Sequence, residues 1–388
     1  MMIIPYAKIN LKGNELKYIK QVLKSGWLTT SNKALEFERQ FSEYTGAKYS
    51  CAVNSCTAAL HLAVEALGIK QGDRVLVPSL TFTASAEILR YLGADPVFLD
   101  VEYGSCLVSP SILKSALIKH RGIKALILVH YGGQASTMTT PEGEGILDIC
   151  RMNGIQLIED AAHAFPTRFE NRCIGTFGDI TCFSFYANKT ITTGEGGMLV
   201  TNDESIYKRV KLMRLHGINH DVWDRFVNSK SSWEYDIIAP GFKYNLSDIN
   251  AAIGLAQLEC ADFLRNERQR CASFYYDNLG NVKALDLPMC KGKMENHSWH
   301  LFPVVLKPDA PVTRNEFIHK MADKGIGTSV HYKPLHRMKY YRETYNLDPD
   351  DFPNTEKIWQ GTVSLPIYPD LRQSQLKYIC DTIRKILN

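Results

Sequence analysis

The sequence predicts an α/β protein: a large domain with a mostly parallel central sheet flanked by helices, followed by a smaller C-terminal α+β domain. Three observations carry this. From about residue 50 to 215, β-type runs alternate with helical patterns. Most of those runs are unbroken apolar segments, the mark of strands buried on both faces of a parallel sheet. After a long aperiodic stretch, the last third mixes strands and helices without that alternation. Domains usually run ~100–200 residues, so 388 residues favour two, and the expected spans are 1–255 and 256–388.

The elements follow in order. CAVN (51–54) precedes TAALHLAVEALG (57–68), which has helical apolar spacing and Gly68 where a C-terminal cap belongs. RVLVPS (74–79) leads to a helix from Ala84 to Leu92, and DPVFLDV (95–101) to one near 111–119. KALILVHYGG (124–133) reads as a buried strand, with a helix at about 142–152 behind it. Then come IQLIED (155–160), ITCFSFY (180–186), GGMLVTN (196–202) and a helix at about 203–215. The stretch 217–240 loses periodicity and carries Trp223, Trp233 and Tyr235; loops this long are uncommon and often functional. A helical run from Ser247 to about Arg270 follows, with Ser247 or Asp248 as N-cap. The remainder holds a strand in HLFPVVLK (300–307) and helices at 314–323 and 373–387.

With 45% hydrophobic and 22% charged residues, the chain has the composition of a globular protein, which excludes disorder and fibrous repeats. Its 45 basic and 41 acidic residues leave a charge of +4, too mild to argue for nucleic acid. No pair of the ten cysteines is spaced CxxC and no Cys/His cluster has metal-site spacing, so buried thiols are expected and no metal site. The start, MMIIPYAKINLKGNE, is too short and polar for a signal peptide, and no apolar run approaches the ~18 residues of a membrane helix. The expected location is the cytoplasm.

The chemistry concentrates in 158–201. Asp160 closes a strand, and ligands of such sheets collect at strand carboxyl ends. His163 follows three residues later, close enough to bond the same ligand. Lys189 sits between FSFYAN and TITTGEGG, where an apolar surrounding lowers an amine's pKa and permits a Schiff base. In NSCTAAL (54–60) a strand turns into a helix start, whose free N–H groups and dipole suit a phosphate. Ser184 can add a hydroxyl, and Phe82 can stack on an aromatic ring. A phosphate cradle, an acid for a ring nitrogen, a flat apolar face and an imine-forming lysine together suit pyridoxal 5'-phosphate.

The chain resembles the DegT/DnrJ/EryC1/StrS family of sugar aminotransferases, of the fold-type I, aspartate-aminotransferase-like superfamily. The resemblance runs through GDRVLVPSLTFTASAEILRYLGADPVFLDV (72–101), IEDAAHA (158–164), GTFGDITCFSFYANKTITTGEGGMLVTND (175–203), GFKYNLSDINAAIGLAQLE (241–259) and GTSVHYKPLH (327–336). It implies that Lys189 forms the Schiff base, Asp160 pairs with the pyridinium nitrogen, His163 lies near the phenolic oxygen and Phe82 stacks on the ring. It likewise assigns Cys56, Thr57 and Ser184 to the phosphate, and Asn245 to the phosphate of a neighbouring subunit, hence a homodimer with shared sites. His331 resembles a position near the sugar, while Lys333 and His336 read as structural. Some dehydrating relatives carry histidine where this chain has Lys189, so lysine favours amino transfer.

The expected reaction moves an amino group from L-glutamate to a nucleotide-linked keto sugar. EDAAHA and GFKYNLSDI look more like the group acting at C-4 of a 4-keto-6-deoxyhexose than like the C-3 group. A C-3 aminotransferase, a sugar dehydratase and a catalytically silent binding protein stay open as alternatives. Trp223, Trp233 and Tyr235 either cover the nucleotide sugar or pack at the dimer contact.

Overall fold

The computed structural model describes residues 2–219 and 235–387. The strands are β1 (Tyr49–Val53), β2 (Arg74–Pro78), β3 (Asp95–Leu99), β4 (Ile123–Val129), β5 (Gln156–Asp160), a short hairpin of β6 (Arg168–Phe169) and β7 (Arg172–Cys173), then β8 (Ile180–Ser184) and β9 (Gly197–Thr201). Seven of them form one sheet in the order β1-β9-β8-β5-β4-β2-β3. The β2–β3, β2–β4, β4–β5 and β5–β8 pairs are parallel, as the alternating pattern predicts. The β8–β9 and β9–β1 pairs are antiparallel. No helix intervenes between β8 and β9, so the chain returns beside itself and cannot run parallel.

Each strand feeds two layers through its period-2 alternation. Leu126 and Leu128 of β4 face a layer containing Phe37, Phe41, Leu113 and Ile149. Ala125 and Ile127 face the opposite layer, which holds Leu60, Leu62, Ile88 and Val210. After the helices α1 (Glu15–Ser25) and α2 (Asn32–Thr45), the helix α3 (Cys56–Ala66) lies in that second layer, buried along nearly its whole length, which is why CTAALHLAVEA is apolar all round. A third cluster gathers Ile4 with residues from Cys271 to Leu387 around the three-stranded sheet of Leu285–Asp286, Pro303–Leu306 and Thr362–Ser364.

Several boundaries differ from the sequence reading. The helix expected at 142–152 spans only Ile146–Met152. The run from Ser247 to Arg270 is two helices, Asp248–Glu259 and Ala261–Leu279, which share Cys260 as C-cap and N-cap. Ser247 does cap the first, accepting from the Asn250 N–H, whereas Asp248 reaches across to accept the Ser31, Lys33 and Ala34 N–H groups at the start of the helix Asn32–Thr45. All ten cysteines are free. No helix among the described residues is long and apolar enough to cross a membrane.

One close approach fixes the sheet to α3. A Cβ built on Gly197, the first residue of β9, would lie 2.6 Å from the Ser55 carbonyl carbon and oxygen and 2.7 Å from the Cys56 nitrogen. Only glycine lets β9 pass against the turn that enters the helix. Gly197→Ala should therefore push this turn outward, lowering stability by about 1–3 kcal/mol and weakening retention of an anion there. Urea unfolding and anion or cofactor titration read both; unchanged midpoint and affinity would refute the role given to this contact.

Candidate active site

A cavity of about 470 Å³ opens at the carboxyl ends of β4, β5 and β8. Ligands of open α/β sheets bind at such strand ends. Cys56, Thr57, Phe82, Asp160, His163, Ser184, Lys189 and His331 all line it, so eight of the nine residues singled out in the sequence meet in one place. Asn245 does not line it; its amide Nδ2 donates to Thr30 Oγ1 at 2.7 Å and its oxygen accepts from Lys243. Trp223 and Trp233 lie outside the described residues. Tyr235 is exposed and is not part of the cavity wall.

Adjacent acids on a strand point to opposite faces. Glu159 turns away from the cavity and accepts from the Gly178 N–H, Thr181 Oγ1 and His130 Nε2, each at 2.8 Å. Asp160 turns into it. Its Oδ2 accepts from Ser85 Oγ at 2.7 Å and its Oδ1 from the Ala162 N–H at 3.1 Å. Burial raises the Asp160 pKa, and these two bonds with Lys189 and His130 act against that rise. Ser85 in turn bonds Thr81 Oγ1 at 2.8 Å. The sequence reading did not single out Ser85 or Thr81, although their place in LTFTAS, one helical turn apart, sets them on one side of a helix start.

Lys189 is half-buried and has no salt-bridge partner among the described residues. Burial pushes its pKa down to about 8, the Asp160 carboxylate pulling the other way and the buried Arg268 guanidinium adding to the fall. The amine is thus partly neutral near physiological pH, which is the nucleophilic form.

His163 also lines the cavity. The Gly132 N–H donates to its Nδ1 at 3.2 Å, and its Nε2 is 2.9 Å from Tyr332 Oη. Burial holds this imidazole far below its usual pKa, with Lys189 and His331 acting in the same direction. Behind it lies His300, ring to ring at 4.5 Å and likewise kept neutral chiefly by burial. His331 Nδ1 is 2.8 Å from Ser364 Oγ, and burial lowers its pKa to about 4. Tyr332 also lines the cavity and meets Phe82 at 5.9 Å between rings. The sequence reading passed over Tyr332 because a tyrosine beside a histidine in a loop carries no spacing signal.

At the floor, Ser55 caps α3 by accepting the Ala58 N–H at 3.0 Å. The preceding helical N–H groups, of Cys56 and Thr57, are those an α-helix leaves without internal partners, and Ser184 Oγ is close by in the wall. Burial pushes the Cys56 thiol well up, so its backbone rather than its sulfur is the useful group.

Pyridoxal phosphate fits this donor set. Its phosphate suits the α3 end, its ring nitrogen the Asp160 carboxylate, and its aldehyde the Lys189 amine. The fold and this set of groups define a pyridoxal phosphate-dependent aminotransferase. The DegT/DnrJ/EryC1/StrS aminotransferase family model matches residues 10–384, and the chain belongs to that family. Over 388 residues it is 38% identical to the spore coat polysaccharide biosynthesis protein SpsC of Bacillus subtilis, covering 99% of this chain and 97% of that one. The putative sugar aminotransferase Spr1654 of Streptococcus pneumoniae, in its PLP form, superposes with a TM-score of 0.87 at 28% identity over 99% of this chain and 98% of its own. PseC of Helicobacter pylori, an aminotransferase involved in the biosynthesis of pseudoaminic acid, gives 0.89 at 26% identity over 100% and 99%. The protein is a sugar aminotransferase whose cofactor is pyridoxal phosphate.

The lowered Lys189 pKa has a kinetic consequence. Imine formation needs the neutral amine, so the rate at which apoprotein takes up pyridoxal phosphate covalently should rise with pH and level off above about 8. Stopped-flow absorbance across pH 6–10 measures this. A midpoint near 10, that of an exposed lysine, would contradict the burial argument.

Proposed function

We propose that the chain transfers an amino group from L-glutamate to a nucleotide-linked keto sugar, at C-4 of a 4-keto-6-deoxyhexose, for amino-sugar and surface polysaccharide biosynthesis. The observation that supports this best is the convergence of Lys189, Asp160 and the α3 N-terminus on one cavity whose wall also carries Phe82, His163, His331 and Tyr332. That wall offers aromatic faces and neutral hydrogen-bonding groups, which suit a sugar. The choice of C-4 rests on the resemblance of EDAAHA and GFKYNLSDI to enzymes acting there. A relative in spore coat polysaccharide biosynthesis fits the same product class.

Bound in the cavity, the cofactor supplies an electron-withdrawing ring that stabilises negative charge on a carbon attached through nitrogen. The chain's residues do the rest. Asp160 keeps a proton on the ring nitrogen, which its ionised form favours. Lys189 Nζ, once free, takes the proton from the α-carbon of the amino acid and delivers it at the neighbouring position, then works in the reverse direction for the sugar. Cys56 and Thr57 N–H groups and Ser184 hold the phosphate, and Phe82 covers the ring.

The test is incubation with L-glutamate and a panel of nucleotide 4-keto and 3-keto sugars, with products read by mass. Amination of a 4-keto sugar is expected in the wild type and should stop in Lys189→Ala. Amination of 3-keto sugars alone would overturn the C-4 assignment, and near wild-type turnover by Lys189→Ala would overturn the role of the lysine.

We also propose a homodimer with shared sites, in which Asn245 reaches the phosphate of the partner. The dianionic phosphate needs more donors than one helix end and Ser184 supply. Refolding Lys189→Ala together with an inactive Asn245→Asp variant should restore a fraction of wild-type activity, because some mixed dimers hold one intact site. No recovery on mixing, or a fully active monomer by light scattering, would sink the idea.

A further inference from the structure

The hydrogen bonds around His163 determine where the proton of Tyr332 must go. A backbone N–H can only donate, so the Gly132 N–H at 3.2 Å makes His163 Nδ1 an acceptor. A neutral imidazole with an unprotonated Nδ1 carries its proton on Nε2. That proton lies on the 2.9 Å line to Tyr332 Oη, so the tyrosine oxygen is the acceptor of this bond. The Tyr332 O–H is thereby left to donate elsewhere, and Oη has no second partner among the described residues. The ring forms part of the cavity wall together with Lys189, Asp160 and Phe82.

The imidazole is not free to adopt another arrangement. Its backbone carbonyl accepts from Ser298 Oγ at 2.6 Å, and its ring is backed by His300 at 4.5 Å. The loop bearing Tyr332 is equally fixed: the Tyr131 hydroxyl bonds the His331 carbonyl, and the Leu335 N–H donates to the Ser79 carbonyl at 2.9 Å. Burial keeps the tyrosine itself neutral, so its hydroxyl is present as a donor throughout the accessible pH range.

We propose that Tyr332 is a catalytic hydrogen-bond donor to the sugar, its O–H binding the ketone oxygen at the carbon that is aminated; this rests on the reading of the substrate as a nucleotide-linked keto sugar. When nitrogen attacks the carbonyl carbon, the π electrons move onto that oxygen, and a donor already aimed at it is worth most as the charge develops. No proton need leave the tyrosine. Lys189 can then protonate the oxygen for its departure as water. In the glutamate half-reaction oxygen reaches the reacting carbon only when water releases the keto acid, so the proton transfer from the α-carbon that precedes it does not use this donor.

Tyr332→Phe keeps the ring against Phe82 and removes only the hydroxyl. Two measurements are made. In single-turnover absorbance experiments, the phase that reports proton transfer from the glutamate α-carbon should change less than twofold while the sugar half-reaction slows about 10–100-fold. In calorimetry on apoprotein, the nucleotide sugar with a hydroxyl in place of the ketone should bind about 2–10-fold more weakly to the variant, whereas the analogue with hydrogen there should bind both proteins equally. If the variant will not fold, 3-fluorotyrosine at position 332 is used instead. Its stronger donor should tighten the hydroxy analogue and speed the sugar half-reaction. Equal slowing of that proton transfer and of the sugar half-reaction, or identical discrimination between the two analogues in wild type and variant, overturns the proposal. A wild type that binds neither analogue and aminates no sugar sinks the substrate reading, and this proposal with it.

Discussion

The whole arrangement depends on keeping one carboxylate charged and one amine partly neutral within a single shielded cavity. Left alone, burial disfavours the charged form of both groups. The fold separates their fates through hydrogen bonding. Asp160 receives the Ser85 hydroxyl and the Ala162 N–H, two donors that favour its ionised form. Lys189 receives no salt-bridge partner among the described residues, so burial outweighs the pull of the Asp160 carboxylate and its pKa falls to about 8. The sheet makes this geometry inexpensive to hold. β5 and β8 are parallel neighbours with Asp160 opposite Cys182, so the acid and the segment leading to Lys189 leave the sheet from adjacent strand ends.

The three histidines near the lysine follow from the same constraint. A charged imidazole beside the Lys189 amine would add a second cation to a dry site, which costs several kcal/mol without an acidic partner. His163, His300 and His331 are instead all buried and held neutral. They give the wall hydrogen-bonding groups without charge. A neutral polar wall can contact sugar hydroxyls without competing for the anionic phosphate at the α3 end.

Much of this was legible in the sequence, and the reasons are physical. β4 and β5 are buried on both faces, so ALILV and QLIED stand out as apolar runs, the second ending on two acids. Lys189 and Asp160 are legible because their neighbours are: GEGG permits the Gly197 approach to the Ser55–Cys56 turn, and small alanines follow the acid. The helices Glu15–Ser25 and Asn32–Thr45 escaped notice because their apolar stripes are narrow; in ELKYIKQVLKS only Glu15 and Val22 are buried. The division at Cys260 was hidden because AQLECADFL keeps helical spacing across a break in backbone direction. Ser85, Thr81 and Tyr332 were missed because their roles come from elements distant in sequence meeting in space.

Tyr332 shows how such a meeting is enforced. It belongs to the last third of the chain, yet its loop is moored to the large sheet at the end of β2. Ser79 accepts the Leu335 N–H on its carbonyl, and its hydroxyl lies 2.6 Å from His336 Nδ1. His336 stacks on Phe352 at 4.3 Å, and its Nε2 meets Glu356 Oε1 at 2.6 Å. Glu356 is also gripped by Arg337 through two guanidinium nitrogens. The buried His336 is therefore structural in the strict sense that it bonds to both sides of the seam and does not line the cavity. Its effect nevertheless reaches the site. With the loop tied at Ser79 and the Tyr131 hydroxyl holding the His331 carbonyl, the tyrosine ring has little room to swing. A hydrogen-bond donor contributes to a rate only if it is already oriented when charge develops, since reorienting it then costs what the bond would return. The mooring of this loop supplies that orientation before any substrate arrives.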